Sequence, residues 1–271
     1  MKRKVKKIFF LISLISGFLY WQNNGIVITK HYYKNKKIPK NFRGFKIAQI
    51  SDLQNKMFYN NQSSIINKLK SQNPDIIVIT GDILDSNRTN VNNAYVFIDK
   101  AINIAPIYYV SGNHENRLSI YNSFINILSE KGVNVLENKY SYININNEKI
   151  VIMGIRDIRN NKNFEDIIKN MSFKNEKYFK ILLSHRPELY NIYENNNIDL
   201  SFVGHSHGGQ IRLPFTDGLF APNQGILPKY TSGLRHFNKS SMIISRGLGN
   251  SRFPFRIFNR PEITITTLYN E

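Results

Sequence analysis

The chain has 271 residues, of which 41% are hydrophobic and 13% aromatic, a composition that supports a sizeable core and argues against disorder of the whole chain. It contains no cysteine, which excludes disulfides and thiolate-bound metals. The 37 Lys and Arg against 19 Asp and Glu give a formal charge of +18, which at long range favours anionic lipid, anionic wall polymer or nucleic acid.

An apolar run from Ile8 to Trp21 follows a basic flank, residues 1–7, at the start of the chain. A basic flank, an apolar stretch and an aromatic end are the parts of a secretory signal or a signal anchor, and the basic end stays in the cytoplasm. The run is shorter than the roughly 20 residues of a full span, and no cleavage site of small residues follows it. We therefore predict an uncleaved single-pass anchor over residues 8–28 with the rest of the chain extracytoplasmic. Secretion after signal cleavage is the main alternative.

Residues 29–43 are mostly polar and basic and lack periodicity, which predicts a linker, so the globular domain is expected over residues 44–271. In the first half of this domain apolar strands alternate with amphipathic helices, a pattern that predicts a layered α/β core. The strands there read FKIAQIS, DIIVITGD and IYYVSGNHE, and the helices read NQSSIINKLKSQN, VNNAYVFIDKAINI and LSIYNSFINILSEKG. The second half is richer in strands, with a hairpin over YSYININN and EKIVIMGI followed by KILLSHRP, DLSFVGHSHGG, SSMIISRGLG and PEITITTLYN.

Clusters of polar residues follow several of the predicted strands, at the point where each strand ends. In open α/β sheets the loops at these ends converge on one crevice. Each cluster alone is a weak signal, because Gly-Asp is commonly a turn and a lone His after a strand is more often a satisfied polar residue. Their shared placement favours a common site. The clusters are Asp52 with Gln54; Gly81 with Asp82; Gly112, Asn113, His114 and Glu115; Ser184 with His185; and Gly204, His205, Ser206 and His207.

The residue types in these clusters indicate metal chemistry. Carboxylate, imidazole and amide ligands without thiolate suit Mn²⁺, Fe or Zn²⁺, and more than four ligands indicate two ions. Two metals about 3.5 to 4 Å apart can hold a hydroxide between them and clamp the attacking and leaving oxygens of an in-line phosphoryl displacement. The sequence therefore predicts phosphoester hydrolysis that depends on two divalent metal ions, with Mn²⁺ favoured over Fe or Zn²⁺.

In order and spacing, these motifs resemble the calcineurin-like metallophosphoesterase superfamily, whose pattern is DxH, GDxxD, GNHE, a lone His and GHxH. Here they read DLQ, GDILD, GNHE, SHRPE and GHSH. The C-terminal stretches GHSHGGQIRLP, LFAPNQG, KYTSGL and SRGLGNS are similar to the membrane-associated bacterial branch. The resemblance implies an α/β fold, a four-layer α/β/β/α sandwich with two packed mixed sheets, and placement at the bacterial cell membrane.

The resemblance also implies two metal sites that share one carboxylate. The ligands it implies are Asp52, Gln54, Asp82 and His207 for one metal, and Asp82, Asn113, His185 and His205 for the other. Gln54 stands where the family has a histidine. As a neutral and harder donor, it is expected to hold its metal more loosely and to bias the site toward Mn²⁺ or Mg²⁺ over Zn²⁺.

Four further residues receive roles from the resemblance. His114 is implied to be catalytic rather than a ligand, donating a proton to the leaving oxygen or stabilising the charge that develops on the phosphoryl group. Glu115 is expected to orient His114 or a ligand. Arg246 and Asn250 are placed as candidates to bind the substrate phosphate.

The function predicted from the sequence is hydrolysis of a phosphodiester, phosphomonoester or pyrophosphate bond in an envelope lipid, sugar phosphate or wall polymer. The alternative is a non-catalytic or weakly active binder of phosphorylated envelope components, because the histidine of the first motif is Gln54. A nucleic-acid substrate is less favoured, since the chain lacks a dense stripe of aromatic and basic residues.

Overall fold

The computed structural model describes residues 2–157, 163–213, 217–250 and 253–271. In those ranges the α-helices are α1 (Lys2–Asn24), α2 (Ser63–Gln72), α3 (Val91–Ala101), α4 (Tyr121–Glu130), α5 (Phe164–Lys174) and α6 (Tyr190–Asn195). The first strands are β1 (Val27–Lys34), β2 (Lys46–Ile50), β3 (Ile76–Thr80), β4 (Ile107–Val110), β5 (Asn134–Val135), β6 (Lys139–Ile145) and β7 (Glu148–Gly154). The remaining strands are β8 (Lys180–Leu183), β9 (Leu200–Val203), β10 (Phe220–Ala221), β11 (Gly225–Ile226), β12 (Gly233–His236), β13 (Ser241–Ile244) and β14 (Glu262–Tyr269).

Two six-stranded sheets form the centre of the molecule. The first has the order β1-β14-β2-β3-β4-β5, in which β2 to β5 are parallel and β14 runs antiparallel to β2. The second has the order β12-β13-β9-β8-β7-β6, in which β13, β9, β8 and β7 are parallel and the two outer strands are antiparallel to their neighbours. Both sheets are therefore mixed.

The sheets pack face to face with helices on their outer faces. Between them lie apolar side chains of both sheets, such as Val78 of β3 and Phe202 of β9. Phe97 and Phe124 of α3 and α4 pack on the outer face of the first sheet, and Met171 of α5 packs on that of the second. Because the central strands are covered on both faces, their sequences are mostly apolar. The predicted four-layer α/β/β/α sandwich is confirmed.

The predicted linker at residues 29–43 is wrong, because this stretch belongs to the fold. Strand β1 pairs in parallel with β14, from Val27 opposite Glu262 to Lys34 opposite Tyr269. Behind it, Ile38 and Phe42 are buried between the sheets. Alternating β-branched, aromatic and Lys residues fit an edge strand with one face on the core and charged side chains in solvent. The domain therefore begins near Val27 and not at residue 44.

Helix α1 contains a candidate membrane span, Arg3–Asn24, with a mean hydropathy of 1.2 over its most apolar window. Because the helix ends at Asn24, the last residues of the segment predicted as an anchor over 8–28 lie in β1 instead. Only the last turn of α1 is buried, at Gln22 and Asn23. The helix is long and apolar enough to be a membrane anchor or a signal sequence.

Candidate metal centre

The polar clusters that follow β2, β3, β4, β8 and β9 meet at one edge of the two sheets. Within each sheet these strands are parallel, so their carboxyl ends lie on the same side. Residues from different sheets come within direct contact there: His185 of the second sheet lies 3.2 Å, Nε2 to Oδ2, from Asp82 of the first. The crevice expected from the strand pattern is present.

Asp82 lies at the centre of this cluster and is almost fully buried. Its Oδ2 accepts a hydrogen bond from Nε2 of Gln54 at 3.1 Å, and its Oδ1 accepts one from the backbone N–H of His114 at 2.8 Å. The loop after β4 passes so close that a Cβ on Gly112 would lie 2.2 Å from Asp82 Oδ1. A glycine at this position is therefore required for the approach.

Two groups of buried carboxylates and histidines have ligand atoms within 4.8 Å of one another. One group is Asp52, Asp82 and His207, and the other is Asp82, His185 and His205. They share Asp82, the residue predicted to serve both metals. The structure brings the predicted Asp and His ligands together in the predicted partition, while their roles as ligands stay a prediction.

The first group is held by bonds within the loops after β2 and β9. Asp52 Oδ1 lies 3.3 Å from Nε2 of His207, and Asp52 Oδ2 accepts a hydrogen bond from the Ser51 hydroxyl at 2.5 Å. Both carboxylate oxygens of Asp52 face the backbone N–H of His205 at 3.2 Å. The carboxylate is thus fixed toward the centre of the crevice before any ion binds.

In the second group, a hydrogen bond from Nδ1 fixes the orientation of the His185 ring. Its Nδ1 lies 2.7 Å from the carbonyl oxygen of Thr80, which can only accept, so Nδ1 carries the proton of the neutral ring. The Nε2 lone pair then faces Asp82, the arrangement by which a carbonyl group orients a metal-binding histidine. Nδ1 of His205 lies 3.1 Å from that same Nε2.

Unpaired buried atoms test whether these residues fit a divalent cation. Among the described residues, Oε1 of Gln54, Oδ1 of Asn113 and Nδ1 of His207 are buried without a hydrogen-bond partner. Buried polar atoms normally have a partner, so each of these three requires an explanation. Together with the carboxylates and imidazoles they form an oxygen and nitrogen donor set without sulfur, which suits Mn²⁺, Fe or Zn²⁺. The donor set fits the cations predicted from the sequence.

Two of the three predicted histidine ligands have the protonation that this fit requires. Burial lowers the pKa of His205 and of His207, so both are neutral and have a free lone pair near pH 7. Burial alone would lower the pKa of His185 too, but the adjacent Asp82 carboxylate outweighs it and raises that pKa to about 10. His185 is therefore protonated near pH 7, and a cation bound at its Nε2 would displace that proton. Burial would raise the pKa of Asp82, but the charges and hydrogen bonds of His185 and His114 hold it well below its usual range. Asp82 is therefore ionised.

Glu115 ties the loops after β3 and β4 together. Its Oε2 accepts hydrogen bonds from the backbone N–H groups of Asp82 at 2.9 Å and Gly112 at 3.0 Å, and its Oε1 accepts one from Leu84 at 2.9 Å. It thereby positions the loop that carries Asp82, consistent with the orienting role expected of it.

His114 presents an N–H toward the cluster. The backbone N–H of Ser86 donates to its Nδ1 at 3.1 Å, so in the neutral ring the proton lies on Nε2. That Nε2 lies 3.9 Å from Asp82 Oδ2. The arrangement places a proton donor beside the predicted metals without making His114 a ligand.

Arg246 and Asn250, the residues predicted to bind the substrate phosphate, both form hydrogen bonds within the fold. The guanidinium of Arg246 is paired with the buried carboxylate of Glu262, with Nε and Nη2 both 2.9 Å from Oε1. The side chain of Asn250 donates to Oδ1 of Asn23 at 2.9 Å and accepts from Nε of Arg256 at 3.1 Å. Both residues therefore hold loops together through these bonds, and their phosphate-binding roles stay predictions.

Two contacts at the centre were missed from the sequence. Nδ2 of Asn223, in the turn between β10 and β11, lies 3.2 Å from Nε2 of His205 and 2.9 Å from Oε1 of Glu188. Next to His185, Arg186 pairs with buried Asp157, Nε to Oδ2 at 3.0 Å. Neither Asn223 nor Asp157 lies in a motif that marks a metal site, and only the resemblance of LFAPNQG to other sequences singled out the turn.

Comparisons with known proteins agree with this geometry. The family model for calcineurin-like phosphoesterases matches residues 45–209. The metallophosphoesterase YkuE of Bacillus subtilis is 32% identical over 259 residues, covering 92% of this chain and 87% of YkuE. The phosphodiesterase YaeI of Escherichia coli is 26% identical over 244 residues, covering 88% of this chain and 85% of YaeI. The structure of TT1561 from Thermus thermophilus matches with a TM-score of 0.54 at 12% identity, over 76% of this chain and 90% of TT1561, which shows the shared fold.

Proposed function

Because this chain belongs to the calcineurin-like phosphoesterase family and is a metal-dependent phosphoesterase, we propose that it cleaves a phosphoester or pyrophosphate bond of an envelope lipid, sugar phosphate or wall polymer, held at the membrane by α1. The main support for this proposal is the position at which α1 joins the domain. Strand β1 is parallel to β14, which is antiparallel to β2. The start of β1 therefore lies at the edge where β2 ends, which is the edge that carries the metal centre.

Direct contacts support the closeness of the helix end to the centre. The Asn23 backbone carbonyl accepts a hydrogen bond from Nζ of Lys56, which follows Gln54 in the loop after β2. The backbone N–H of Gly249 bonds to the carbonyl of Asp52 at 2.6 Å, and the next residue, Asn250, bonds to Asn23. If α1 is an anchor, the metal centre lies at the membrane surface and not at the end of a long tether.

The last turn of α1 also favours an anchor that is retained over secretion after cleavage. Gln22 and Asn23 are buried, and Oδ1 of Asn23 accepts a hydrogen bond from the backbone N–H of Arg256 at 3.0 Å. Cleavage in this turn would remove partners of a buried loop. Removal of a buried acceptor costs about 1 to 3 kcal/mol, so retention of α1 stabilises the domain.

For the reaction itself, the residues divide the work between positioning and proton transfer. Divalent cations bound in this donor set supply the positive charge that activates a water molecule and neutralises the phosphoryl oxygens. Asp82 and Asp52 keep their carboxylates fixed toward the centre through backbone hydrogen bonds. His114 holds a proton on Nε2, where it can pass to the leaving oxygen.

A substrate panel on the full-length protein in detergent with Mn²⁺ tests this proposal. It comprises bis-p-nitrophenyl phosphate, a polyprenyl diphosphate, a nucleotide-sugar and single-stranded DNA. We expect turnover of the soluble diester and the highest turnover on the lipid or sugar phosphate. The highest turnover on DNA would contradict the substrate class. If the chain binds phospholipid or sugar phosphate but turns over none of the panel, it is instead the non-catalytic binder suggested by Gln54 in the position of the motif histidine.

A further inference from the structure

Exposed apolar side chains extend from the end of α1 to the hairpin formed by β10 and β11. Their exposed fractions range from 46% at Leu213 to 80% at Ile226. Single exposed apolar residues are normal on a protein surface, but an extended set of them indicates a contact surface. These residues form the apolar rim: Leu213, Phe220, Ile226, Leu227 and Phe258.

The apolar rim begins against α1 itself. The rings of Phe18 and Phe258 meet edge to face with centroids 5.6 Å apart. Phe18 lies between one and two turns before the end of α1, so the ring of Phe258 lies about 9 Å closer to the N-terminus of α1, along the helix axis, than Asn24 does. Between these two levels, Arg260 lies over the ring of Trp21 at 4.6 Å. Trp is typical of the boundary between membrane and water, so Phe258 is on the apolar side of that boundary.

Backbone hydrogen bonds connect the segment that carries Phe258 with the hairpin. Arg212 donates to the carbonyl of Ile257 at 3.0 Å, Leu219 donates to Ile211 at 2.8 Å, and Leu227 donates to Leu219 at 2.9 Å. Adjacent segments paired in this way are about 4.8 Å apart, so the rim extends up to roughly 14 Å from the segment that carries Phe258.

The far end of the rim reaches the metal centre. Asn223 lies in the turn between β10 and β11, and its side chain contacts His205 at 3.2 Å. Ile226 and Leu227 follow directly after this turn and are 80% and 68% exposed. The rim therefore joins the candidate membrane span at one end and the metal centre at the other.

The length of α1 gives the rim a reason to enter a membrane. The apolar run from Ile8 to Trp21 spans about 21 Å as a helix, against about 30 Å for the hydrocarbon core of a bilayer. A short span is accommodated by thinning of the bilayer or by long basic side chains that reach to the interface, as Lys4, Lys6 and Lys7 can do. Both draw the domain, and with it Phe258, toward the apolar layer.

We propose that the apolar rim inserts into the lipid surface at which α1 ends, so that the metal centre takes phosphate groups carried by lipids embedded in that membrane. The proposal rests on the proposed function in one respect, the retention of α1 as an anchor. The occupant of the rim is the bilayer itself, because the rim is continuous with the helix that would cross it. The net charge of +18 adds attraction to anionic headgroups.

The absence of cysteine allows a direct measurement of depth. The full-length chain with Leu227→Cys is labelled with an environment-sensitive fluorophore and reconstituted in vesicles of phosphatidylglycerol and phosphatidylethanolamine, with and without brominated lipids. The matched control is Phe173→Cys: Phe173 is 78% exposed on α5, near the start of β8 and thus at the edge opposite the metal centre. We expect a blue shift and at least about a twofold loss of fluorescence on bromolipid at Leu227, and no loss at Phe173.

Equal fluorescence of the two labelled variants with and without bromolipid would overturn the proposal. A blue shift at Leu227 that grows with protein concentration and ignores bromolipid would also overturn it, because the rim would then contact a second copy of the chain. Quenching does not require turnover. A protein that is quenched but inactive would therefore support insertion of the rim and contradict the proposed reaction. A protein that is active but not quenched would support the proposed reaction and contradict insertion of the rim.

A second variant tests the consequence for substrate access. In Ile226→Glu with Leu227→Glu, the ratio of turnover on a vesicle-embedded diester to turnover on a soluble diester is expected to fall about tenfold. Phe173→Glu is expected to leave that ratio unchanged. An equal ratio in both variants would show that lipid substrates reach the centre without the rim.

Discussion

Among single residues, Gln54 departs from the family pattern, and the structure shows where each end of its amide lies. Its Nε2 bonds to Asp82, and its Oε1 is buried without a partner in the described part of the chain. The position was evident from the motif, because Asp52 and Gln54 stand at a strand end. The direction of the amide was not, because it depends on the loops of Asp82 and Gly249, which are distant in sequence.

Replacing Gln54 by histidine restores a nitrogen ligand at this position. The variant is expected to bind Zn²⁺ about tenfold more tightly relative to Mn²⁺ than the parent does, because imidazole is a softer donor than an amide oxygen. Competition between the two ions for the full-length protein, followed by metal analysis, measures the ratio. Unchanged affinity and preference would mean that Gln54 is not a ligand.

His114→Asn separates the proton donor from the metal ligands. The variant keeps a polar group but loses the Nε2 proton, so kcat on a diester is expected to fall by about 10²- to 10⁴-fold. Its metal content is expected to equal that of the parent, since His114 is not predicted to be a ligand. Loss of metal together with activity would assign His114 to the metal site instead.

At the scale of elements, the buried central strands and their helices were predicted from the sequence, and the edges were not. Strands β3 and β9 are mostly apolar because both of their faces are covered. Strand β1 instead mixes Lys and aromatic residues and resembles a polar linker unless its partner β14, at the other end of the chain, is known. Contacts between the two ends of the chain carry no local signal, which is why this strand was missed.

Two adjacent tyrosines of β1 test whether this strand belongs to the fold. Tyr33 is 4% exposed and its hydroxyl donates to the carbonyl of Asp199 at 3.0 Å, whereas Tyr32 is 63% exposed. Tyr33→Ala is expected to lower the free energy of unfolding by about 3 to 5 kcal/mol, as for other large aromatic truncations. Tyr32→Ala is expected to cost less than about 1 kcal/mol. Unfolding in detergent by circular dichroism compares the two, and equal small effects would mean that β1 is a linker.

His31 of β1 gives the stability of the domain a pH dependence. Burial lowers the pKa of His31, against an opposing effect of Glu262, so the unfolded chain binds this proton more readily than the folded chain. Stability is therefore lost as the pH falls below the usual histidine value of about 6.5. In His31→Gln, the difference in unfolding free energy between about pH 5 and pH 8 is expected to be smaller than in the parent. An identical difference would mean that His31 is solvated in the folded protein.

At the scale of the whole molecule, the helix α1, the apolar rim and the metal centre lie on one side. The direction of β1 is responsible, because it begins at the edge where β2 ends. The sequence predicted an anchor and a metal centre separately. Their closeness follows only from the pairing of β1 with β14, so it required the structure.

Hydrolysis is predicted to require the metal centre, in which Asp82 serves two ions. The most direct test measures metal content by mass spectrometry together with turnover of bis-p-nitrophenyl phosphate, in the full-length protein and in Asp82→Asn. We expect two divalent ions per chain in the parent, and in the variant loss of metal with turnover reduced by about 10³-fold or more. A variant that keeps both ions and its turnover, or a parent equally active without metal, would show that Asp82 and the metals are not required for hydrolysis.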